Sequence, residues 1–202
     1  QIDFVGGSLE AHAAEDFTTA STRVLKKDAD LGFALLADML QHPAFHKQEF
    51  ERVRTQILGE IVSDDDDPGN VAMKAFHQLI FHGHPYSWPA HGTEETLNKI
   101  TVADIQQFHA REYLPNQTIL VIVGDLTQDQ AAALVQTHFG SWKKGPPSPY
   151  QIKKPASIER KMVQLIEKDL TQSTIVLGHT GISRTNPDYY PVTVMNYILG
   201  AG

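Results

Sequence analysis

The clearest helical pattern in the chain is HKQEFERVRTQILGEIV, residues 46–62. Apolar side chains recur there with the period of an α-helix, at Phe50, Val53, Ile57, Leu58 and Ile61. This spacing is typical of a helix that buries one face and exposes the other. The stretch therefore predicts an amphipathic helix that packs against a core.

Glu60 lies at the edge of this apolar face. With about 100° of rotation per residue from Phe50, the face covers roughly 300° through 0° to 80°, and Glu60 falls at about 280°. A carboxylate in such a half-buried place has to be paired, bound to a cation or protonated. The spacing alone leaves equally open a glutamate at the rim that reaches solvent or a neighbouring arginine.

Upstream of this helix the sequence predicts a β-hairpin followed by a helix. The stretches 8–13 and 18–25 have the composition of strands, and Glu15-Asp16 between them is suited to a turn. Asp28 or Asp30 can cap a helix that runs to about Gln41, since Pro43 follows.

Downstream, cap signals predict further helices. Asp67-Pro68 combines an N-cap residue with proline at the first helical position, and Thr101 and Thr127 precede amphipathic stretches. A last helix is predicted from about residue 186 to 199. Between them the continuous apolar run Thr118–Val123 predicts a strand that is covered on both faces or lies in mid-sheet.

Composition excludes several classes of protein. The 202 residues contain no cysteine, which excludes a disulfide framework, a thiolate zinc site and a cysteine nucleophile. The formal net charge of −7 argues against a nucleic-acid partner, and no apolar stretch is suited to span a membrane.

Two local clusters resemble metal sites. Residues 64–67 are four consecutive aspartates, but a calcium loop would need a glycine and a closing glutamate that are missing, so a solvated acidic turn is favoured. His77, His82 and His84, with His91 following, offer imidazole ligands. The histidine spacing places His77 and His82 on different helical faces, which leaves a metal site there as a minor alternative.

The order of motifs resembles one family of enzymes, the pitrilysin/insulinase-type zinc peptidases, which include mitochondrial processing peptidase. The similarity covers nearly the whole chain. It rests on Val5-Gly6-Gly7, Asp16-Phe17-Thr18, Ile57-Leu58-Gly59-Glu60-Ile61, Asp67-Pro68, His84-Pro85-Tyr86, Gly92, Phe108-His109, Tyr113, Pro115, Gln117, Val123-Gly124-Asp125, Asn186-Pro187-Asp188-Tyr189-Tyr190 and Ile198-Leu199-Gly200.

The resemblance implies a zinc site with one ligand in this chain. The family carries an inverted motif, H-x-x-E-H, whose histidines bind zinc and whose glutamate is the general base, with a distant glutamate as third protein ligand. Glu60 matches that distant ligand, whereas H-x-x-E-H does not occur in these residues. By this resemblance the motif would precede Gln1, and the chain alone would neither retain Zn²⁺ nor hydrolyse peptides.

The resemblance also implies the fold and the domains. We expect an incomplete α+β domain, with a mainly antiparallel sheet and helices on one face. Residues 1–144 would form the peptidase-type domain without its first strands and motif helix, 145–157 a linker, and 158–202 the start of a homologous second domain. The strand that holds Leu9, Glu10 and Ala11 would bind peptide substrate along its edge.

Two functions stay open at this stage. The first is part of a zinc endopeptidase, and the second is a non-catalytic subunit that binds peptide or an active partner in a homo- or heterodimer. The family also suggests a periplasmic location.

Overall fold

The structure is a computed structural model that describes residues 1–146 and 152–201. Within these residues the chain forms a small antiparallel sheet and seven α-helices. The strands are β1 (Ser8–Ala13) and β2 (Thr18–Arg23), and the helices are α1 (Ala29–Gln41), α2 (Lys47–Asp66), α3 (Pro68–Ile80), α4 (Glu94–Lys99), α5 (Val102–Glu112), α6 (Gln128–Phe139) and α7 (Tyr189–Asn196). The predicted α+β class is confirmed.

Contacts divide the described chain into two compact units. The first comprises residues 1–63 and 89–152, and the second comprises residues 64–88 and 153–202. Of the predicted linker at 145–157, residues 147–151 lie outside the described residues. The predicted domain boundary stays a prediction.

The β1–β2 hairpin is held against α1 on one face. Ala20 and Thr22 are the half-buried residues of β2, and a Cβ on Gly32 of α1 would lie 2.9 Å from Val24 Cγ2 and 3.5 Å from Thr22 Cγ2. Thr22 Oγ1 also donates a hydrogen bond to the Ser8 carbonyl at 3.1 Å. Helix α1 can approach the sheet this closely because Gly32 has no side chain, and the sheet is covered by a helix on this face as predicted.

Helices α5 and α6 pack on α1 in the same unit. His138 Nε2 is 2.8 Å from Asp30 Oδ1, and Gln41 Nε2 donates to the His138 carbonyl at 2.9 Å. His109 Nε2 donates to the Leu40 carbonyl at 2.8 Å. The core of this unit includes the buried side chains of Leu36, Ala37, Ile61 and Leu114. These contacts join elements that are distant in sequence.

Predicted caps explain where three of the seven helices described above begin. Asp67 accepts a hydrogen bond from the Asn70 amide at 2.9 Å, and Thr101 and Thr127 each form a capping box. The hydrogen bonds that Asp104 accepts from the Thr101 hydroxyl and amide lower the pKa of Asp104 below its ordinary value of 3.8. Asp28 occupies the N-cap position of α1, but its side chain makes no capping hydrogen bond and its Oδ2 is buried without a partner in the described structure.

Helix α2 is longer than the sequence pattern predicted. It continues past Val62 through three aspartates to Asp66, and Pro68 then opens α3. Charged residues tolerate a solvent-exposed helical turn, so the loss of apolar periodicity did not mark the end of this helix. Val53, predicted on the buried face, is 41% exposed.

The predicted strand at Thr118–Val123 is wrong for this structure. These residues form neither helix nor strand, and no strand pairs with them in residues 1–146 or 152–201. Exposure nevertheless alternates along the run, at 90%, 75% and 93% for Ile119, Val121 and Val123 against 41% and 36% for Leu120 and Ile122. The run therefore has the two-residue side-chain alternation of a strand without its hydrogen-bonded partner.

The last predicted helix forms over a shorter range. Helix α7 covers Tyr189–Asn196 and is followed by a π-helical turn at Tyr197–Ala201. Among the residues that the structure describes, no helix has both the length and the apolar character needed to cross a membrane.

Candidate functional site

Glu60 lies on α2 with its carboxylate half-exposed, as the helical pattern placed it. Gln56, one turn earlier, donates from Nε2 to Glu60 Oε1 at 3.0 Å. The other oxygen, Oε2, is 3.9 Å from Nδ1 of His91, and the Glu60 side chain is 44% exposed. One oxygen is thus held by an amide on the same helix, while the second faces an imidazole from a later loop.

His91 is carried by an ordered turn. The Gly92 amide donates to the Pro89 carbonyl at 2.9 Å, and Gly92 has φ of +73°, in the left-handed region that glycine adopts at little cost. Thr93 then begins α4 with a capping box to Thr96. A Cβ on Gly92 would lie 2.9 Å from Thr96 Oγ1, so the turn and the start of α4 fix each other.

The surroundings of Glu60 fit a single ligand of a divalent metal. Its carboxylate forms no ion pair with lysine or arginine in the described part of the chain, and oxygen donors of this kind bind zinc. No group of three or more His, Cys, Asp or Glu side chains suited to a metal occurs among the described residues. Glu60 therefore fits as one ligand of a set that these residues do not complete.

The peptide-binding residues predicted from the family lie on β1. Leu9 pairs with Thr22, Glu10 with Ser21, and Ala11 with Ala20, so Leu9 and Ala11 lie on the same sheet face as Ala20 and Thr22. Leu9 is half-buried there, whereas Ala11 is exposed. Glu10 lies on the opposite face and is exposed. Within the described residues β1 pairs only with β2, which leaves its other edge available for an added strand. Binding of peptide at Leu9, Glu10 and Ala11 stays a prediction.

The histidine cluster considered as an alternative does not form a metal site in the described structure. His84 is buried, its Nδ1 accepts from the Tyr86 amide at 3.2 Å, and its Nε2 donates to the Lys153 carbonyl at 2.8 Å. Both ring nitrogens are therefore engaged in hydrogen bonds that tie the 84–86 loop to the segment at Lys153. His84 is a structural histidine.

Sequence reasoning missed the contact between His91 and Glu60. Gln56 is found from the helical period because it precedes Glu60 by one turn. His91 lies beyond α3 and the following loop, and no spacing rule links it to α2. The glycine at position 92 signals a turn, but it gives no indication of which helix the turn faces.

Comparisons with known proteins agree with this architecture. Residues 1–94 match the family model described as Insulinase (Peptidase family M16), and residues 99–202 match the model described as Peptidase M16 inactive domain. The crystal structure of a peptidase M16 inactive domain from Pseudomonas fluorescens superposes with a TM-score of 0.82 and 25% identity, covering 100% of this chain and 49% of that one.

Relatives of similar sequence carry peptidase names. An uncharacterized zinc protease of Mycobacterium leprae is 30% identical, with 100% of this chain and 46% of the relative covered. A probable mitochondrial-processing peptidase subunit beta of Arabidopsis thaliana is 26% identical, with 100% and 38% covered. The chain thus spans about half the length, or less, of these curated relatives.

The fold and these similarities define the class of the zinc metallopeptidases. The chain belongs to the M16 peptidase family, as its motifs indicated.

Proposed function

We propose that this chain is part of a zinc-dependent endopeptidase and supplies Glu60 as the third protein ligand of the metal. The observation that carries the proposal is the state of the Glu60 carboxylate. It is half-exposed, Gln56 holds Oε1, and Oε2 makes no hydrogen bond in the described structure. A free glutamate side chain loses rotamer freedom when it binds a cation, and the Gln56 hydrogen bond reduces that loss in advance.

In such a site the metal, when bound, supplies a Lewis acid for the scissile carbonyl and an activated water. The residues of this chain have narrower tasks. Glu60 contributes a negatively charged oxygen, and Gln56 orients it. The chain does not supply the general base, because H-x-x-E-H does not occur in its sequence.

The edge of β1 is the part of the chain that we assign to peptide binding. An extended peptide that adds to this edge would form main-chain hydrogen bonds like those between β1 and β2. Alternate side chains of that peptide would lie on the two faces of the sheet, beside Glu10 on one face and beside Leu9 and Ala11 on the other. Affinity would come from the backbone, and selectivity from these three residues.

A second candidate is a non-catalytic subunit of the same fold. The observation that favours it is the match of residues 99–202 to a model described as an inactive domain. The same description applies to the Pseudomonas fluorescens structure. Such a subunit would bind peptide or an active partner and would need no metal at Glu60.

Zinc stoichiometry with Glu60→Gln decides between the two candidates. Measured on the intact protein that contains this chain, the wild type should bind about one zinc, and Glu60→Gln should weaken binding at least tenfold because removing a ligand charge weakens metal affinity. Glu49→Gln is the matched control, since Glu49 lies on the same helix but pairs with Arg52.

Each outcome of this experiment has a distinct meaning. Full zinc occupancy in Glu60→Gln would overturn the role of Glu60 as ligand. A wild-type protein that binds peptide but no zinc would favour the non-catalytic subunit.

A further inference from the structure

The hydrogen bonds of the hairpin show which backbone groups of β1 face its open edge. The Ala14 amide, just after β1, donates to the Phe17 carbonyl at 2.9 Å, so the backbone of Ala14 faces β2. In an antiparallel pair the backbone groups of successive residues point to alternate sides of the strand. The Ser8 carbonyl, which accepts from the Thr22 hydroxyl at 3.1 Å, follows the same alternation. The even-numbered residues of β1 therefore bond to β2, and the odd-numbered residues, Ala11 included, turn their amides and carbonyls to the open edge.

Glu10 has a defined place in any antiparallel strand pair formed at that edge. Because its own amide and carbonyl face β2, it belongs to a non-hydrogen-bonded pair with the added strand. The two Cα atoms of such a pair are about 4.5 Å apart, against about 5.5 Å in a hydrogen-bonded pair, so the side chains come closer. The side chain that pairs with Glu10 would lie beside its carboxylate on the exposed face of the sheet.

The Glu10 carboxylate has no partner charge in the described residues. Its side chain is exposed, and its partner in β2, Ser21, is uncharged. Arg23 is the only arginine or lysine of the two described strands, but it pairs with Ser8, two residues out of register with Glu10. Since the hairpin does not neutralise Glu10, this carboxylate can attract an opposite charge on an added strand.

Charge complementarity indicates one class of peptide for this edge. The main-chain hydrogen bonds of an added strand form with almost any sequence, so the side chains beside β1 have to distinguish one peptide from another. Opposite charges across two strands stabilise the pair, and like charges destabilise it. We propose that Glu10 is a specificity-determining residue, which selects extended peptides that carry lysine or arginine at the position paired with it. The proposal rests on the proposed function, because it names the substrate class of the β1 edge.

The selection applies to alternate positions of the peptide only. The residues next to the one that pairs with Glu10 lie on the other face of the sheet, beside Leu9 and Ala11, which are uncharged. A lysine moved by one residue along the peptide therefore loses its pairing with the carboxylate. This shift provides a control within the peptide itself.

The test is fluorescence anisotropy of labelled peptides with the intact protein that contains this chain, in EDTA to prevent metal-dependent hydrolysis. The host peptide alternates valine and threonine, and one central threonine is replaced by lysine, glutamine or glutamate. We expect the lysine peptide to bind about three- to fivefold more tightly than the glutamine peptide, and the glutamate peptide to bind more weakly by a similar factor. Lysine in place of a neighbouring valine should give no such gain.

Variants at position 10 change the preference in a predictable direction. Glu10→Gln should bind all three peptides within about twofold of one another, and Glu10→Lys should reverse their order. Glu15→Gln is the matched control, because Glu15 is exposed in the turn between the strands and pairs with neither. It changes the net charge by the same amount as Glu10→Gln and should keep the wild-type preference.

Ala11→Pro tests whether the peptides bind at this edge. Proline has no amide hydrogen, so the change removes a donor to the added strand and leaves the hydrogen bonds between β1 and β2 in place. All the peptides should then bind at least tenfold more weakly. Far-UV circular dichroism of every variant checks that the fold is retained.

The possible results separate this inference from the proposed function. If Ala11→Pro weakens binding but the variants at Glu10 keep the wild-type preference, the edge binds peptide and the role of Glu10 is overturned. Equal affinity of the wild type for the three peptides, or loss of the preference in Glu15→Gln, also overturns it. If Ala11→Pro changes nothing, or no host peptide binds, the edge assignment fails together with the inference. The role of Glu60 is tested independently by the zinc stoichiometry.

Discussion

The β1–β2 hairpin and the apolar run at Thr118–Val123 both have sequences typical of strands, but only the hairpin forms paired strands in the described residues. The hairpin strands pair from Ser8↔Arg23 to Ala13↔Thr18 and lie against α1. The run carries more apolar side chains than either hairpin strand, yet it has no partner strand in the described residues and exposes Ile119, Val121 and Val123. High apolar content therefore did not decide which stretch became a strand.

The difference lies in where the partner comes from. The hairpin strands are joined by a short turn, so the loss of chain entropy on pairing is small. The run ends at Gly124-Asp125 and is followed by α6, so no neighbouring strand is close in sequence. A strand whose partner is distant in sequence forms only if that partner is present. In a hairpin the two partner strands are joined by a short turn, so each strand always has its partner nearby.

The largest effect on this comparison is expected from Gly32→Leu. A side chain at position 32 would meet Val24 and Thr22, so α1 and the hairpin would have to separate. Overpacking of this kind costs about 1–3 kcal/mol, which we expect as a loss in the free energy of unfolding measured with urea.

Gly59→Ala is the control for Gly32→Leu. Gly59 is also inside a helix, but a Cβ there meets nothing within 4 Å. This change should raise the free energy of unfolding by about 0.5–1 kcal/mol through helix propensity alone. If Gly32→Leu does not lower the free energy of unfolding, α1 does not hold the hairpin.

A smaller effect is expected from Thr22→Val, which keeps the shape and removes the hydrogen bond to the Ser8 carbonyl. The loss should be about 0.5–1.5 kcal/mol in the same urea measurement. Thr19→Val is the matched control, because the Thr19 hydroxyl is 3.4 Å from the His12 carbonyl on the exposed face and should contribute less. Equal losses would mean that the α1-covered face of the hairpin has no special role.

The smallest effect on stability is expected from replacing Ile119, Val121 and Val123 together by threonine. These side chains are exposed, so each change should alter the free energy of unfolding by no more than about 0.5 kcal/mol. Self-association, measured by sedimentation velocity, should decrease because exposed apolar surface is removed. The paired control is Leu120→Thr with Ile122→Thr, which should lower the free energy of unfolding more because these side chains are less exposed. If the control lowers it less than the triple replacement does, the exposed face of the run is covered in solution.

Much of the secondary structure could be predicted because its signals are local. Asp67-Pro68, Thr101 and Thr127 mark helix starts through hydrogen bonds within a few residues, and the structure contains each of them. The end of α2 could not be predicted from periodicity, because its last turn is charged and exposed. The pairing of the apolar run depends on a partner strand, which its own pattern does not specify.

In the candidate site, too, some features could be predicted from local sequence signals and others could not. The half-buried place of Glu60 and its proximity to Gln56 follow from the helical period. Its role as a metal ligand came from the resemblance to the family and stays a proposal. The approach of His91 depends on how the loop after α3 returns to α2, which no short-range signal in the sequence describes.

The exposed Glu10 on β1 has a consequence for self-association of the chain. If two copies met edge to edge with Glu10 opposite Glu10, their carboxylates would repel each other across the new ladder. A six-residue edge with such a charge is one of the means by which proteins avoid growth into fibrils. On this argument, the Glu10 carboxylate would disfavour pairing of two copies of the chain in that register along the edge that we assign to an incoming peptide.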